Sequence, residues 1–263
     1  MRRTSIFSPR KPATGLPGPI WPPIRLPGCV AWYDMLETYT ESGGSVTAIR
    51  NMVSGSDDMA EATNPPAVSS INGRVAMKGD GSNDKLVSSE AAAVAPFIGT
   101  NRPVTVVIAC QPDPATAQSA AIFCAGNSGI ASNNTNLFLR QSVAGIWRMR
   151  RTDDAALQKN VARNDAVQFI PQVVSFITNG THAQIYVNQD RTPQPRPGPT
   201  PNSEISTGTI TPNQLGILCR ADSSADSFSA DRVGAILVFD RALYVPDLRG
   251  IIAAMMGRWG IPA

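Results

Sequence analysis

The stretch PVTVVIACQP (residues 103–112) is apolar or β-branched at nearly every position between its two prolines. Eight residues between prolines is short for a buried helix, and the Val and Ile content suits a pleated backbone. A strand that shows no apolar/polar alternation has no wet face, so this one is central and covered on both sides. The run GAILVFD (234–240) reads the same way. Outward from these two, CVAWYDM, SVTAIRNMV, RVAMKGD, KLVSS, SAAIFCAG, NLFLRQ, GIWRMRRT, FIPQVVSFITNG, AQIYVNQD and NQLGILCR are short strand-like runs. Gly, Asn, Asp, Ser and Pro separate them at roughly ten-residue spacing, which is the rhythm of a sandwich or jelly roll.

Within that rhythm, SFITNGTHAQIYVNQD (175–190) predicts a hairpin, with Asn179-Gly180 supplying a turn that tolerates positive φ. One helix is predicted at the end: Pro246 and Asp247 suit a first turn, Leu248, Ile251, Ile252 and Met255 fall on one face, and Gly257 and Gly260 permit termination. Residues 191–203 (RTPQPRPGPTPNS) are too proline-rich for a ladder and predict a stiff surface loop.

The apolar share of 42% and charged share of 16% are those of a folded chain. The net charge of +3 is unevenly spread: Arg2, Arg3, Arg10, Lys11 and Arg25 precede Cys29 with no acidic residue among them. Residues 1–28 also hold seven prolines, which favour extended backbone over helix or central strand. Two domains follow: an extended Pro/Arg-rich anchoring arm over 1–28, able to reach roughly 85 Å, and an all-β antiparallel jelly-roll sandwich over 29–263 with one short C-terminal helix. The opening residues lack the apolar run of a secretory signal, and no stretch is long and apolar enough to span a membrane, so assembly in a cytoplasm is expected. Cys29, Cys110, Cys124 and Cys219 lack metal-ligand spacing and fall mostly in apolar runs, which predicts buried thiols.

Four segments, in order, resemble the LamG-like, concanavalin A-like lectin/glucanase jelly roll found in phage and bacterial proteins. CVAWYDM (29–35) is similar to its opening strand, and INGRVAMKGDGSNDKLV (71–87) to its hairpin ending in Asp-Gly. VVSFITNGTHAQIYVNQD (173–190) resembles its strand, Asn-Gly turn and strand, and RVGAILVFDRAL with the following helix and RWGI (232–261) its closing elements. The resemblance implies the sandwich; it does not imply a role, because the fold hosts lectins, hydrolases and structural modules alike.

No catalytic residue is predicted. Glucanases of this superfamily carry alternating carboxylates on one strand so that two face the same cleft, and this chain has no such run. His182 is its sole histidine and lies beside a predicted turn, with no Gly-x-Ser-x-Gly elbow in the chain. No cofactor is expected. Asp80, Asn83 and Asp84 in GDGSND put three oxygen side chains on one loop, which reads either as turn chemistry or as a calcium site. In GIWRMRRT, Arg148 and Arg150 share a strand face opposite Trp147 and Met149, with Arg151 continuing the positive edge. They read as a solvated edge or as a basic patch for a glycan or partner. Tyr186 is a sheet-face residue or a sugar-stacking one. Trp32, Tyr33 and Trp259 are expected in the core.

Together these features predict a non-enzymatic virion structural protein: a phage capsid decoration, head-fibre or tail-associated subunit. Its arm docks into other virion proteins through Arg2, Arg3, Ile6, Phe7, Arg10, Lys11, Trp21, Ile24 and Arg25. Its jelly roll is displayed, with attachment to a host cell-surface glycan as one use. Homo-oligomers are expected; membrane and nucleic acid are not. The alternative is a stand-alone carbohydrate-binding, lectin-like module.

Overall fold

In the computed structural model of the chain, the described residues are 23–53, 58–88, 94–116, 120–127, 136–141, 146–163, 168–190, 203–221 and 228–262. The anchoring calls from Arg2 to Trp21, the side chain of Ile24 and most of the proline-rich loop lie outside them. Arg25 is exposed at the end of a single 3-10 turn, Pro23–Arg25, and the next residue, Leu26, is buried in the core.

Among the described residues sixteen strands form one antiparallel sheet that folds over itself into a sandwich. The inner layer, called here the back, contains β1 (Cys29–Asp34), β5 (Ala67–Ile71), β6 (Arg74–Lys78), β8 (Val104–Gln111), β13 (Gln172–Thr178), β14 (Ala183–Val187) and β16 (Arg232–Phe239). Its order is β5-β6-β16-β8-β13-β14, with β1 sharing an edge of β16 with β6. The front contains β2 (Tyr39–Ser42), β3 (Ser45–Ile49), β4 (Met59–Ala60), β7 (Leu86–Ser88), β9 (Phe123–Gly126), β10 (Asn136–Gln141), β11 (Trp147–Thr152), β12 (Gln158–Ala162) and β15 (Gln214–Ile217). Its order is β12-β11-β10-β9-β15-β7-β4-β3, with β2 on the far side of β3. Ser45 of β3 pairs with Ala67 of β5 and joins front to back, and Tyr33 of β1 bridges to Asn51 just after β3.

The two predicted central strands behave as their composition requires. β8 has β16 on one side and β13 on the other, and seven of its eight residues are buried. β16 is buried over seven of eight residues and is paired along both edges. Between the layers, Trp147 of β11 meets Phe176 of β13 edge-on, with ring centroids 5.9 Å apart. The indole N–H of Trp147 also donates to Gln172 Oε1 at 3.2 Å, so the aromatic contact and its polar end are both satisfied.

The outer face of the back layer is covered by α1 (Val245–Trp259), which buries Leu248, Ile251, Ile252, Met255, Met256 and Trp259. Burial of each of these side chains contributes about 1.5–3 kcal/mol. Trp259 lies on Gly234, where β16 shifts register between Val233 and Ala235; a Cβ there would fall 2.5 Å from the indole ring. The helix ends as predicted at Gly260, whose φ of 61° suits glycine. Gly260 N–H donates to Gly257 and Ile261 N–H to Met256. The Asn72 side chain, from the β5–β6 turn, donates to the carbonyls of Trp259 and Gly260 at 3.1 and 2.9 Å. An Asn-Gly hairpin turn therefore also caps the helix that closes the domain.

The Trp-Tyr-Asp run of β1 is divided by alternation. Tyr33 points into the sandwich and is wholly buried. Trp32 and Asp34 lie on the helix side: the indole N–H donates to Asp34 Oδ2 at 3.3 Å, and Arg258 of α1 donates to the same oxygen at 2.7 Å and also pairs with Glu37. Burial raises the Asp34 pKa, and the Leu36 N–H and Arg258 only partly offset it. Removing one member of a buried pair strands the other charge. Arg258→Ala is therefore expected to lower unfolding stability by about 3 kcal/mol, and Asp34→Asn in that background to restore part of it; equilibrium urea unfolding of the four proteins measures both.

Candidate functional site

Strand β11 carries the residues that the sequence singles out, and its register is regular against both β10 and β12. Regular pairing keeps strict period-two alternation. Trp147 and Met149 are buried on the inner face, as expected, and Arg148, Arg150 and Thr152 share the outer one. Opposite Arg150 stand Asn160 of β12 and Phe138 of β10; opposite Arg148 stand Ala162 and Arg140; opposite Thr152 stand Gln158 and Asn136. None of these cross-strand positions is acidic. Asn160 and Gln158 are exposed, Arg148 is half-buried and Arg150 is 8% exposed. The Arg148 Nε and the Thr152 hydroxyl are buried without a hydrogen-bond partner.

Arg151 does not continue the positive edge. It falls on the inner face with Trp147 and Met149, because it is two residues from Met149, and it is 4% exposed. Its guanidinium reaches out of the end of the sandwich to three backbone carbonyls: Ser206, Gly99 at 3.2 Å and Gly208 at 2.6 Å. Burial lowers its pKa, opposed by the charges of Asp153 and Asp154. Asp153 accepts the Ser206 hydroxyl and the N–H groups of Ala155 and Leu157. Burial pushes the Asp153 pKa up, but these bonds and Arg151 outweigh it and hold the carboxyl below its usual range. The Arg151–Asp153 unit ties the 99 and 206–208 loops to β11 and is committed to structure.

Tyr186 is a sheet-face residue, 3% exposed. It is paired with Ser175, whose neighbour Phe176 faces the core, so Tyr186 faces the other way. Its environment is buried enough to raise its pKa to about 12, with Arg249 of α1 opposing. A ring so placed cannot stack on a sugar. Trp32, Tyr33 and Trp259 are buried as expected. His182 Nδ1 lies 2.9 Å from the Thr181 hydroxyl, and its N–H donates to Asn179 Oδ1. That hairpin turn needs its glycine, since a Cβ on Gly180, at φ 99°, would lie 2.1 Å from the Asn101 carbonyl oxygen.

In the GDGSND loop, Asp80 Oδ1 accepts the N–H groups of Ser82, Asn83 and Asp84 at 2.7, 3.1 and 3.3 Å. Burial would raise the Asp80 pKa, yet these bonds hold it low, while burial and the Asp80 charge raise that of Asp84. The oxygen that a cation would seek is turned to the backbone, the arrangement of an Asx turn. Among the described residues no group of three or more His, Cys, Asp and Glu side chains is placed to hold a metal ion. Cys110, Cys124 and Cys219 are buried and Cys29 is half-buried, none of them in a disulfide.

The outer face of the front layer is divided. Ala121 and Ala221 pack around Cys124, and Cys219 lies over Gly216 on the adjacent strand. On the β3–β4 side is an open depression of about 460 Å³ lined by Thr47, Ala60, Glu61 and Ala62. Glu61 there is engaged by Lys85 at 3.7 Å and by the Thr63 N–H. On the β10–β12 side is the strip of Arg148, Arg150 and Thr152. Alternation counted one residue further would have removed Arg151 from the patch and added Thr152; Gln158 and Asn160 carried no signal, because QKNVA does not read as a strand.

No protein-family model matches the chain, and no curated protein sequence matches it. Solved structures do. The Trypanosoma rangeli sialidase in complex with sialic acid is 16% identical with a TM-score of 0.59, over 96% of this chain and 36% of the sialidase. The same enzyme with 2,3-difluorosialic acid is 15% identical with a TM-score of 0.58, over 87% and 33%. The K499G mutant of NanB sialidase from Streptococcus pneumoniae is 12% identical with a TM-score of 0.50, over 66% and 27%. The chain spans about a third of the length of the Trypanosoma sialidases it matches. These likenesses show the all-β fold; the LamG-like motifs stay a resemblance.

At the rim, Asp231 is wholly buried, and its Oδ1 accepts the Asp113 N–H at 2.7 Å and the Thr116 hydroxyl at 2.8 Å. Oδ2 has no partner. Burial pushes its pKa from 3.8 to about 6, against the pull of those bonds. A carboxyl with a raised folded pKa binds its proton more tightly when folded. Its contribution therefore favours unfolding above pH 6, weakens as pH falls through 6, and is gone below the unfolded value near 3.8. About two pH units at about 1.4 kcal/mol each amounts to roughly 3 kcal/mol. Asp34 and Asp84 shift in the same direction, so the Asp231 share is isolated by difference. Asp231→Asn is expected to flatten the stability profile between pH 4 and pH 7 relative to the parent, measured by urea unfolding across that range.

Proposed function

We propose that the sandwich is a carbohydrate-binding module that holds its ligand on the outer face of β10–β12 and does not turn it over. The observation that carries this reading is the strip on β11. Arg148, Arg150 and Thr152 stand on one face, exposed Asn160 and Gln158 lie beside them, and buried donor atoms of Arg148 and Thr152 have no acceptor. Sugars are recognised by planar polar side chains held rigidly in this way, and strands hold them more rigidly than loops.

Two further observations support it. Sialidases, which are described in complex with sialic acid, share the fold over most of this chain. The acidic side chains placed near the ends of the sandwich are committed to other work: Asp80 and Asp153 to backbone N–H groups, Asp231 to Asp113 and Thr116, and Asp34 to Arg258. A retaining glycosidase wants two free carboxyls about 5 Å apart, so binding without hydrolysis is preferred. The reading as a virion subunit anchored by residues 1–28 draws on residues outside the described set, and no feature of the body favours it over the lectin-like alternative.

Affinity electrophoresis of the full chain through gels holding single soluble polysaccharides tests the reading. Retardation in at least one gel is expected, with most of it lost in Asn160→Ala/Gln158→Ala, two exposed substitutions that leave the core untouched. Unchanged mobility in every gel would end the carbohydrate reading, and release of reducing ends from a retarding polysaccharide would end its non-enzymatic part.

A further inference from the structure

The geometry points to Cys124 and Cys219 as a redox modification site: exchange with a small-molecule disulfide joins the two and pins the segment after β15 onto β9. The first observation is register. Gly216 of β15 stands directly opposite Cys124 of β9, and directly opposed Cβ positions of an antiparallel pair lie about 4.5–5.5 Å apart. Phe123, Ala125, Leu215 and Ile217 belong to the core between the layers. By alternation, Cys124 and Gly216 therefore share the outer face.

The second observation is the segment that covers this face. After β15 the chain turns back at Leu218, whose φ is 62° and whose N–H donates to the Ile122 carbonyl at 3.1 Å. Three residues on, the Ala221 N–H donates to Cys124 Sγ at 3.5 Å. Between these two contacts Cys219 sets its Sγ over Gly216, 2.7 Å from where a Cβ there would stand, and the Ala221 Cβ lies 3.5 Å from the same point. Gly216 thus leaves the space that the second sulfur fills beside Cys124. A disulfide needs its Cβ atoms about 3.5–4.5 Å apart. With both side chains at neighbouring positions of one face, movement of the 218–221 segment supplies that approach and no sheet strand has to shift.

The third observation is contrast with the other two cysteines. Cys110 stands between Gln172 and Val233 in the back layer, and burial, with the Asp231 charge, raises its thiol well above the usual range. Cys29 is half-buried opposite Phe239, and burial, with the Asp240 charge, pushes its thiol up to about 12. A thiolate is the attacking species in exchange, so neither is placed to compete.

The reaction runs in two steps. One cysteine thiolate attacks oxidised glutathione, forming a mixed disulfide and releasing a glutathione thiolate that takes up the proton. The other cysteine then attacks the mixed disulfide and releases the second glutathione. Two protein S–H bonds and the glutathione S–S bond break; one protein S–S bond and two glutathione S–H bonds form. The protein loses two electrons and the glutathione disulfide gains them. Cys124 and Cys219 are both wholly buried, so exchange waits on local opening of the covering segment, and the bond once made holds that segment closed.

The experiment incubates the reduced, folded full chain with oxidised glutathione, alkylates the remaining thiols in denaturant, and maps the digest by mass spectrometry. A Cys124–Cys219 cross-linked peptide is expected, with Cys29 and Cys110 recovered alkylated. The urea unfolding midpoint is expected to rise in the oxidised protein, because the bond restrains the unfolded chain, and to return after dithiothreitol. Cys219→Ala should lose both the cross-link and the shift, and Cys29→Ser should keep both. Recovery of Cys124 and Cys219 as alkylated thiols or as separate glutathione adducts, under conditions that fully oxidise a reference dithiol, would overturn the pairing. A cross-link formed only in urea-unfolded protein would overturn it as well, and a cross-link without a shift in midpoint would overturn the pinning.

Discussion

From its second residue onward, strand β16 has no surface that meets water. It is hydrogen-bonded to β8 on one edge and to β6 and β1 on the other, its inner side chains meet the front layer, and its outer side chains lie under α1. A strand enclosed in this way is apolar where it is covered, and residues 233–239 are, with Arg232 the polar residue at the half-buried start. It must also let a helix approach closely, and Gly234 gives Trp259 the space that a Cβ would fill. The helix is then fixed at its C-terminal end by Arg258 on Asp34 and by Asn72 on the last carbonyls. Chain segments more than two hundred residues apart, β1 and the end of α1, are thus locked by one buried ion pair at the place where β16 bends.

That lock has a consequence at the opposite face. Because α1 covers the outer side of the back layer, Tyr186 and its row are lost to ligands. The surface left to present side chains is the outer side of the front layer, and there the segment after β15 covers the middle around Cys124 and Gly216. What remains is the β3–β4 depression and the β10–β12 strip. In the depression Glu61 already has Lys85 as partner; on the strip the buried Arg148 Nε and Thr152 hydroxyl have none among the described residues.

The parts of the fold readable in the sequence are those whose burial leaves a compositional mark. PVTVVIAC and GAILVFD announce central strands, Asn179-Gly180 announces its hairpin, and Leu248, Ile251, Ile252 and Met255 announce the helix. The strands that escape notice are β2 (YTES), β4 (MA), β5 (AVSSI) and β12 (QKNVA). All are polar or very short, because an edge or a two-residue bridge buries too little to demand apolar residues and gains from polarity that discourages pairing with other chains. The candidate site was half readable for the same reason. Arg148 and Arg150 stand out by alternation, but their neighbours Gln158 and Asn160 belong to a strand with no pattern. Arg151 misleads because it looks like its neighbours in sequence while facing the other way.

Position on the strand explains why three arginines in four residues can have two different fates. Arg151 lies near the end of the sandwich, where the inner face opens onto loops that present the carbonyls of Gly99, Ser206 and Gly208. A guanidinium satisfies several such acceptors at once, and Asp153 balances its charge in a place water reaches poorly. Arg148 and Arg150 lie on the outer face, where the sheet's own hydrogen bonds are complete and no loose carbonyls need a donor. The Arg148 Nε is buried on that face without an acceptor among the described residues, unlike the guanidinium of Arg151, which meets three loop carbonyls.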